Sequence, residues 1–311
     1  MSNTMKLAVI GAGAVGSALA FMLVTHAGYT DITMVARNKR LAQLQRDGAV
    51  VARGPKDKHS TRAPVKVLAQ LDVNEAYDLV LVLVMAYQID DALRSTLAQC
   101  KARTIAFVFG TIRPLSEYRD IVGADRFAFG FSACIQGWWG NEDGELVYYK
   151  NAASSPMTDA KCAKLWSDIG AATTLVTVPE MQSFLRTQVC VYIGLLSATM
   201  PSIRDKRSGA SWSEAYRVAC AMRQWFAIVR ELGEESTSRP HRIMMAMPAW
   251  TWAGILWMLS RVGEIRNRLG NPTSIPTNAT DAGSEEARRM FLDFCALAGP
   301  ERAKRIEGMR L

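Results

Sequence analysis

The stretch that most constrains this chain is Gly11-Ala12-Gly13-Ala14-Val15-Gly16. It follows the apolar run 6–10 (KLAVI) and opens an alanine-rich apolar stretch from Ala14 to His26. A G-x-G-x-x-G between a strand and a helix is the phosphate turn of a dinucleotide-binding βαβ unit. Gly11 permits the tight turn, Gly13 lets backbone approach a diphosphate, and Gly16 lets the helix pack on its strand. The helix start then offers unpaired N–H groups and a positive dipole end to the phosphates.

The end of the second strand selects between nicotinamide cofactors. An NAD site places Asp or Glu there for the ribose 2′-hydroxyl; this chain reads Val35-Ala36-Arg37-Asn38-Lys39-Arg40. Arg37 lies 21 residues after Gly16, close to the usual ~20. A guanidinium there can fork a 2′-phosphate, with Lys39 and Arg40 adding to the field. NADPH is the expected cofactor.

The rest of the first half alternates strand and helix. Strands are expected at Ile32–Ala36, Leu79–Val84, Thr104–Phe109, Phe127–Ala133 and Leu146–Tyr149, the last preceded by the turn Asp143-Gly144. Helices are expected at Leu41–Asp47 and Ile89–Cys100, and loops with short strands over Ala49–Lys66. This pattern implies an α/β, Rossmann-like doubly wound sheet. After Val178 no strand is evident. Gln182–Met200, Ser213–Leu232, Ile243–Leu259 and Ser284–Leu297 read as helices, so an all-helical second domain follows. The 311 residues divide into a dinucleotide domain over 1–178 and a helical domain over 179–311.

Composition narrows the function classes. Hydrophobic residues make up 49 %, which excludes a disordered chain. The net charge of +8 suits small anionic ligands. With no run of five or six basic residues, nucleic acid is not the expected partner. Six cysteines without regular spacing, and no evident signal segment, suggest reduced thiols and a cytoplasmic protein. The most apolar stretch, Ile243–Leu259, has 17 residues and contains Pro248. It is short for a membrane span and is expected as a buried helix in the core or at the contact of a homodimer. Membrane association through this stretch is the remaining alternative.

Three segments carry a family resemblance: KLAVIGAGAVGSALA at 6–20, VAR at 35–37 and LVLVMAYQIDDAL at 81–93. With Gly110, Gly130 and Gly144 as further landmarks, the chain resembles the ketopantoate reductase family. The resemblance implies a Rossmann domain, a helical domain, a cofactor held in the cleft between them, and hydride transfer to a 2-keto acid. Beyond the glycine turn and Arg37, it implies that Met85, Gln88, Phe109 and Gly110 line the cofactor site.

Several polar residues of the family are replaced. Met85 stands for a lysine and Phe109 for an asparagine. On the segment FLRTQVCVYIGLLSA, Arg186 stands for the catalytic lysine, while Cys190 and Gly194 stand for asparagines. These departures argue against ketopantoate as substrate. Residues 186, 190, 194 and 197 share one helix face, expected to meet the cleft. Arg186 can bind a carboxylate or polarise a carbonyl but cannot give a proton. Cys190, Tyr192, His241, Glu264, Glu285 and Glu286 are the other catalytic candidates. A C=N substrate would tolerate loss of the lysine better than a ketone. The tryptophans (138, 139, 250, 252 and 257) fit either a large apolar site or core and interface packing. The expected activity is NADPH-dependent reduction of C=O or C=N in a small, partly apolar molecule. The alternative is an NADP-binding protein that has lost its chemistry.

Overall fold

The computed structural model describes residues 5–141, 144–233, 239–263, 265 and 279–307, with side chains of 279–287 and 305–307 excepted. In chain order its first strands and helices are β1 (Leu7–Ile10), α1 (Ala14–Ala27), β2 (Ile32–Val35), α2 (Asn38–Asp47), β3 (Ala49–Arg53), β4 (Thr61–Pro64), β5 (Lys66–Leu68), β6 (Ala76–Tyr77) and β7 (Leu79–Val82). There follow a 3-10 turn (Ala86–Gln88), α3 (Asp91–Gln99), β8 (Lys101–Ala102), β9 (Ile105–Val108), α4 (Ser116–Val122), β10 (Phe127–Gly130), β11 (Ile135–Trp139), β12 (Leu146–Lys150), β13 (Ser155–Met157), α5 (Ala160–Asp168) and β14 (Thr173–Leu175).

The main sheet has the order β14-β13-β10-β9-β7-β1-β2-β5. The strands from β10 to β5 run parallel, and β13 joins β10 antiparallel. Strands β1, β2, β7 and β9 are buried throughout. That explains their near-continuous apolar runs, LAVI, ITMV, LVLV and IAFV, since a parallel strand covered on both faces has no solvated side to present. The fold is a Rossmann-like α/β sheet followed by helices, as the alternation implies.

The apolar stretch from Ala14 forms α1, whose second cover was not foreseen. The helix is apolar nearly all round, and a helix of that kind must be buried on every side. A second sheet, β11-β12-β3-β4, supplies the cover: these strands pack on α1 while β1 and β2 lie on it from the main sheet. The expected loops over Ala49–Lys66 thus contain two strands of this sheet. The expected strand Phe127–Ala133 stops at Gly130, where an added Cβ would sit 2.3 Å from the Met157 sulfur.

After β14 every described element is helical. These are α6 (Val178–Arg204), α7 (Trp212–Glu231), α8 (Arg239–Ala246), α9 (Ala249–Leu259), and the helices Ala279–Ala298 and Pro300–Glu307. Met222, Trp225, Phe226, Trp252 and Phe294 centre their core. The stretch expected as one buried helix over 243–259 is two helices broken at Pro248, which cannot continue the preceding helix. Met245, Trp252, Ala253 and Leu256 are buried, whereas Ile243, Trp250, Trp257 and Met258 are exposed. No helix among the described residues is long and apolar enough to cross a membrane.

The chain forms two compact units. One holds the described residues up to Phe109 together with Pro114–Met181. The other holds Gly110–Arg113 and the described residues from Gln182 onward. The short segment Gly110–Arg113 therefore leaves the end of β9 and packs as part of the helical unit.

Candidate functional site

In the first unit the site is built around the glycine turn. Gly11 has φ +108°, and a Cβ there would lie 2.5 Å from the Leu83 carbonyl oxygen. A Cβ on Gly16 would lie 2.0 Å from the Gly11 carbonyl oxygen. Both glycines are thus required by backbone crowding alone. The Leu83 N–H donates to Ile10 at 2.7 Å and fixes the turn against β7. Gly13 is the N-cap of α1, and no side chain caps this end or places an acid in its first turn. Gly11, Gly13 and Val15 are partly exposed, whereas Ala14 and Gly16 are buried under them. The result is a helix start whose N–H donors no side chain caps, above a turn of glycines, which fits a dinucleotide diphosphate.

Arg37 sits at the end of β2 and precedes α2. Its side chain is 59 % exposed and meets the Asp90 carboxylate at 3.6 Å, so weak a surface pair that the guanidinium is free to turn to a ligand. Asp90 caps α3 by accepting from the Leu93 N–H at 2.8 Å. Lys39 is exposed. Arg40 is not part of the outward field expected of it: it turns inward, donating to the Gly144 carbonyl and to Ser17, both at 3.1 Å.

Three other expected cofactor residues are placed by the loops after β7 and β9. Gln88 closes its own turn, its side-chain oxygen accepting from the Met85 N–H at 2.9 Å; it shapes this loop with Met85, which is partly exposed. The Phe109 ring is buried among Phe107, Tyr118 and Phe129, with centroids 5.3 Å from the latter two. That ring is core packing, a correction to the apolar-site reading, and only its backbone stands at the strand end. Trp139 and Trp252 are likewise buried while Trp250 is 65 % exposed, so the tryptophans do not form one lining.

In the helical unit, Arg186 is buried on α6. Its Nε donates to the Ile112 carbonyl at 3.3 Å. Gln182, one turn earlier, donates to the Arg113 carbonyl at 3.2 Å. Arg113 forks Asp293 with bonds of 3.0 and 2.8 Å. Residues Gly110–Arg113 are thus held by α6 and by the helix Ala279–Ala298. Neither Gln182 nor the Arg113–Asp293 pair was foreseen; a pair 180 positions apart leaves no local mark in a sequence.

On the helix face shared by 186, 190, 194 and 197, positions 190 and 194 pack inside the helical unit. Cys190 is fully buried, and desolvation raises its thiol pKa strongly. It is a core residue, not a nucleophile or acid. A Cβ on Gly194 would lie 2.2 Å from the Met222 sulfur, so this glycine serves close packing of α6 on α7. Tyr192 lies off that face and packs, partly buried, with Leu196 and Met200. Glu285 and Glu286 fall in the helix Ala279–Ala298, but their side chains, like Glu264, lie outside the described residues.

His241 is buried, with Nε2 3.3 Å from the Gln188 side-chain oxygen and its ring 4.6 Å from Phe184. Burial pushes its pKa from 6.5 down to about 4. At neutral pH it carries no extra proton to give, which removes it as a general acid. Its effect is instead on stability. The unfolded chain protonates His241 near pH 6.5, whereas the folded chain resists until about pH 4. Stability from this group is therefore complete above the unfolded pKa and falls as pH drops through that window, by about 3 kcal/mol in total. Melting curves between pH 7 and 4 should flatten in His241→Gln; an unchanged slope would remove His241 as its source.

A Rossmann-like unit with a glycine cradle followed by a helical unit defines a two-unit α/β class of protein. Residues 7–141 match the sequence model of the family described as Ketopantoate reductase PanE/ApbA. No curated protein matches the sequence. Among solved structures the fold is similar to D-mandelate dehydrogenase, solved in a ternary structure with NADH and anilino(oxo)acetate (TM-score 0.63, 13 % identity, 98 % of this chain and 99 % of that one). It is also similar to the PanE/ApbA family ketopantoate reductase from Ralstonia eutropha JMP134 (0.61, 15 %, 95 % and 100 %). A third is 2-dehydropantoate 2-reductase from Porphyromonas gingivalis W83 (0.59, 16 %, 98 % and 99 %). The chain thus resembles the ketopantoate reductase family in sequence over residues 7–141 and in fold over nearly its whole length.

Proposed function

We propose that this chain is an NADPH-dependent reductase of a C=O or C=N bond in a small, partly apolar substrate other than ketopantoate. The observation that carries the reading is the cradle itself. A Cβ on Gly11 or Gly16 would lie 2.5 or 2.0 Å from a backbone carbonyl oxygen, so neither position admits a side chain, and the helix start above them is uncapped. Gly11, Gly13 and the first turn from Ala14 to Gly16 would hold the diphosphate, and Arg37 the 2′-phosphate. Met85, Gln88 and Gly110 belong to the loops that would flank the rest of the cofactor. The bound nicotinamide would supply the hydride.

The chain's own contribution beyond binding falls to Arg186. A guanidinium tethered at Nε keeps a fixed position, which suits it to bind a carboxylate or stabilise developing negative charge. It gives no proton. With Cys190 and His241 removed as acids, an iminium substrate, which arrives charged, gains weight over a ketone. The same loss of acids supports a second reading, an NADP-binding protein without chemistry. Replacement of polar family residues by Met85, Arg186, Cys190 and Gly194 supports a substrate other than ketopantoate.

The protein is further proposed to work in the cytoplasm as a homodimer, with the exposed side chains Ile243, Trp250, Trp257 and Met258 at the contact. A monomer mass at micromolar concentration in light scattering would remove the dimer.

The test is a paired assay. Binding of NADPH and NADH by calorimetry reads the cofactor, and oxidation of NADPH with a panel of 2-oxo acids, ketopantoate and cyclic imines reads the reaction. Arg37→Ala should cut the NADPH preference by about 1–3 kcal/mol, the range for a charge-assisted hydrogen bond. Equal affinity of the unmutated protein for both cofactors would sink the NADPH assignment. Tight NADPH binding without turnover of any panel member would favour the non-catalytic reading, and brisk turnover of ketopantoate would overturn the substrate reading.

A further inference from the structure

Arg40 stands three residues after Arg37, yet the two side chains go opposite ways. Arg37 is exposed, whereas Arg40 runs inward between α1, α2 and the β11–β12 hairpin. Its Nη1 donates to the Gly144 carbonyl and its Nη2 to the Ser17 hydroxyl, both at 3.1 Å. Its guanidinium lies 4.5 Å from the centroid of the Trp139 ring, within reach of a cation–π contact. Gly144 has φ +86°, and a Cβ there would lie 2.8 Å from Arg40 Nη1, so the hairpin closes on the guanidinium without a side chain in between.

The bond to Ser17 carries the argument. A guanidinium only donates, and a hydroxyl has one proton. Ser17 Oγ must therefore accept from Arg40 and spend its own proton elsewhere; it donates to the Ala12 carbonyl at 3.1 Å. Ala12 lies inside the glycine turn. In a trans peptide the N–H points opposite to the C=O. Tying the Ala12 carbonyl back toward α1 therefore turns the Gly13 N–H away from the helix. The chain Arg40, Ser17, Ala12 strengthens each of its members in a buried setting. Burial lowers the Arg40 pKa only to about 10, so it stays charged at neutral pH.

We propose that Arg40 is a positioning residue of the dinucleotide site: through Ser17 it sets the phosphate turn and serves the diphosphate common to NADH and NADPH, while Arg37 alone reads the 2′-phosphate. This rests on the dinucleotide-binding reading above.

Calorimetric titration of NADPH and NADH into Arg40→Met, Arg40→Lys and Ser17→Ala, well below their melting temperatures, tests it. Arg40→Met should weaken both nucleotides by about tenfold or more, the range for losing a hydrogen bond to a charged group. The ratio of the two Kd values should stay where the unmutated protein has it. Ser17→Ala, which leaves the arginine in place, should weaken both by a smaller equal factor, and Arg40→Lys should recover part of the loss. Unchanged Kd values with a lowered melting temperature would make Arg40 merely structural and overturn the proposal. A loss confined to NADPH would overturn it too, by assigning Arg40 to the 2′-phosphate. If the unmutated protein binds neither nucleotide, the dinucleotide reading falls and this inference with it. If it binds both and every variant binds equally well, only the inference falls.

Discussion

Gly16→Ala should abolish measurable binding of both NADPH and NADH, a loss of more than about 100-fold, about 2.7 kcal/mol at the least. The added methyl would sit 2.0 Å from the Gly11 carbonyl oxygen and 3.3 Å from its carbon. Backbone cannot rotate away as a side chain can. Gly11 is held on both sides, its N–H bonded to the Val35 carbonyl at 3.3 Å and its neighbour Ile10 bonded to Leu83. Either α1 lifts from β1 or the turn opens, and each breaks the cradle. Overpacking of this kind costs about 1–3 kcal/mol of stability, roughly 2–4 °C of Tm for each kcal/mol in a chain this large. Gly28→Ala is the matched control. Gly28 ends α1 with φ +69° and open space around it, so alanine there is strained yet touches nothing. It should lower Tm with little change in either Kd. If Gly16→Ala binds NADPH like the unmutated protein, the turn is not the phosphate site.

The glycine turn was legible because everything it needs is local: a strand, six residues and a helix start. The parallel sheet was legible for the same reason, since burial on both faces writes itself into each short run such as Leu79–Val82. The second sheet was not. It joins β12 to β3 through Leu146 opposite Ala52, and neither strand alternates strongly enough to announce a partner so distant in sequence. Only the apolar back of α1 hinted that something must cover it.

The candidate catalytic residues failed for a different reason. Resemblance to a family assigns Cys190 and Phe109 to positions, but says nothing of direction. Cys190 and Gly194 point into the helical core because α6 packs that face on α7, and Phe109 joins an aromatic cluster. Where a polar residue of the family is replaced by an apolar one, absorption into the core is one physical outcome, and the substitution then marks lost chemistry more than a new pocket. Arg40 shows the converse. Lys39 and Arg40 were both expected to add to the field around Arg37, yet Trp139 and Gly144, from a hairpin a hundred residues on, draw Arg40 inside.

Arg186→Ala is expected to lower kcat/KM by about 100-fold, the range seen when one preorganised donor is removed from a site. Its guanidinium is buried, and its Nε tether to Ile112 gives it a fixed position that costs nothing to set at the moment of reaction. NADPH affinity should change little, because the glycine cradle and Arg37 belong to the other unit. The same change also strands the buried Ile112 carbonyl, at about 1–3 kcal/mol of stability, so a fall in Tm alone proves nothing about catalysis. Arg186→Lys separates the two roles. Lysine keeps a positive charge but loses the planar fork that serves Ile112 and a ligand together. If Arg186 acts on substrate charge, the lysine variant should keep part of kcat/KM, with a new titration at alkaline pH as the amine loses its proton. If Arg186 only holds the segment Gly110–Arg113, alanine and lysine variants should lose Tm alike and keep kcat/KM at temperatures well below melting. In that case Arg186 is structural, and the proton and charge chemistry must come from Tyr192 or from Glu264, Glu285 and Glu286.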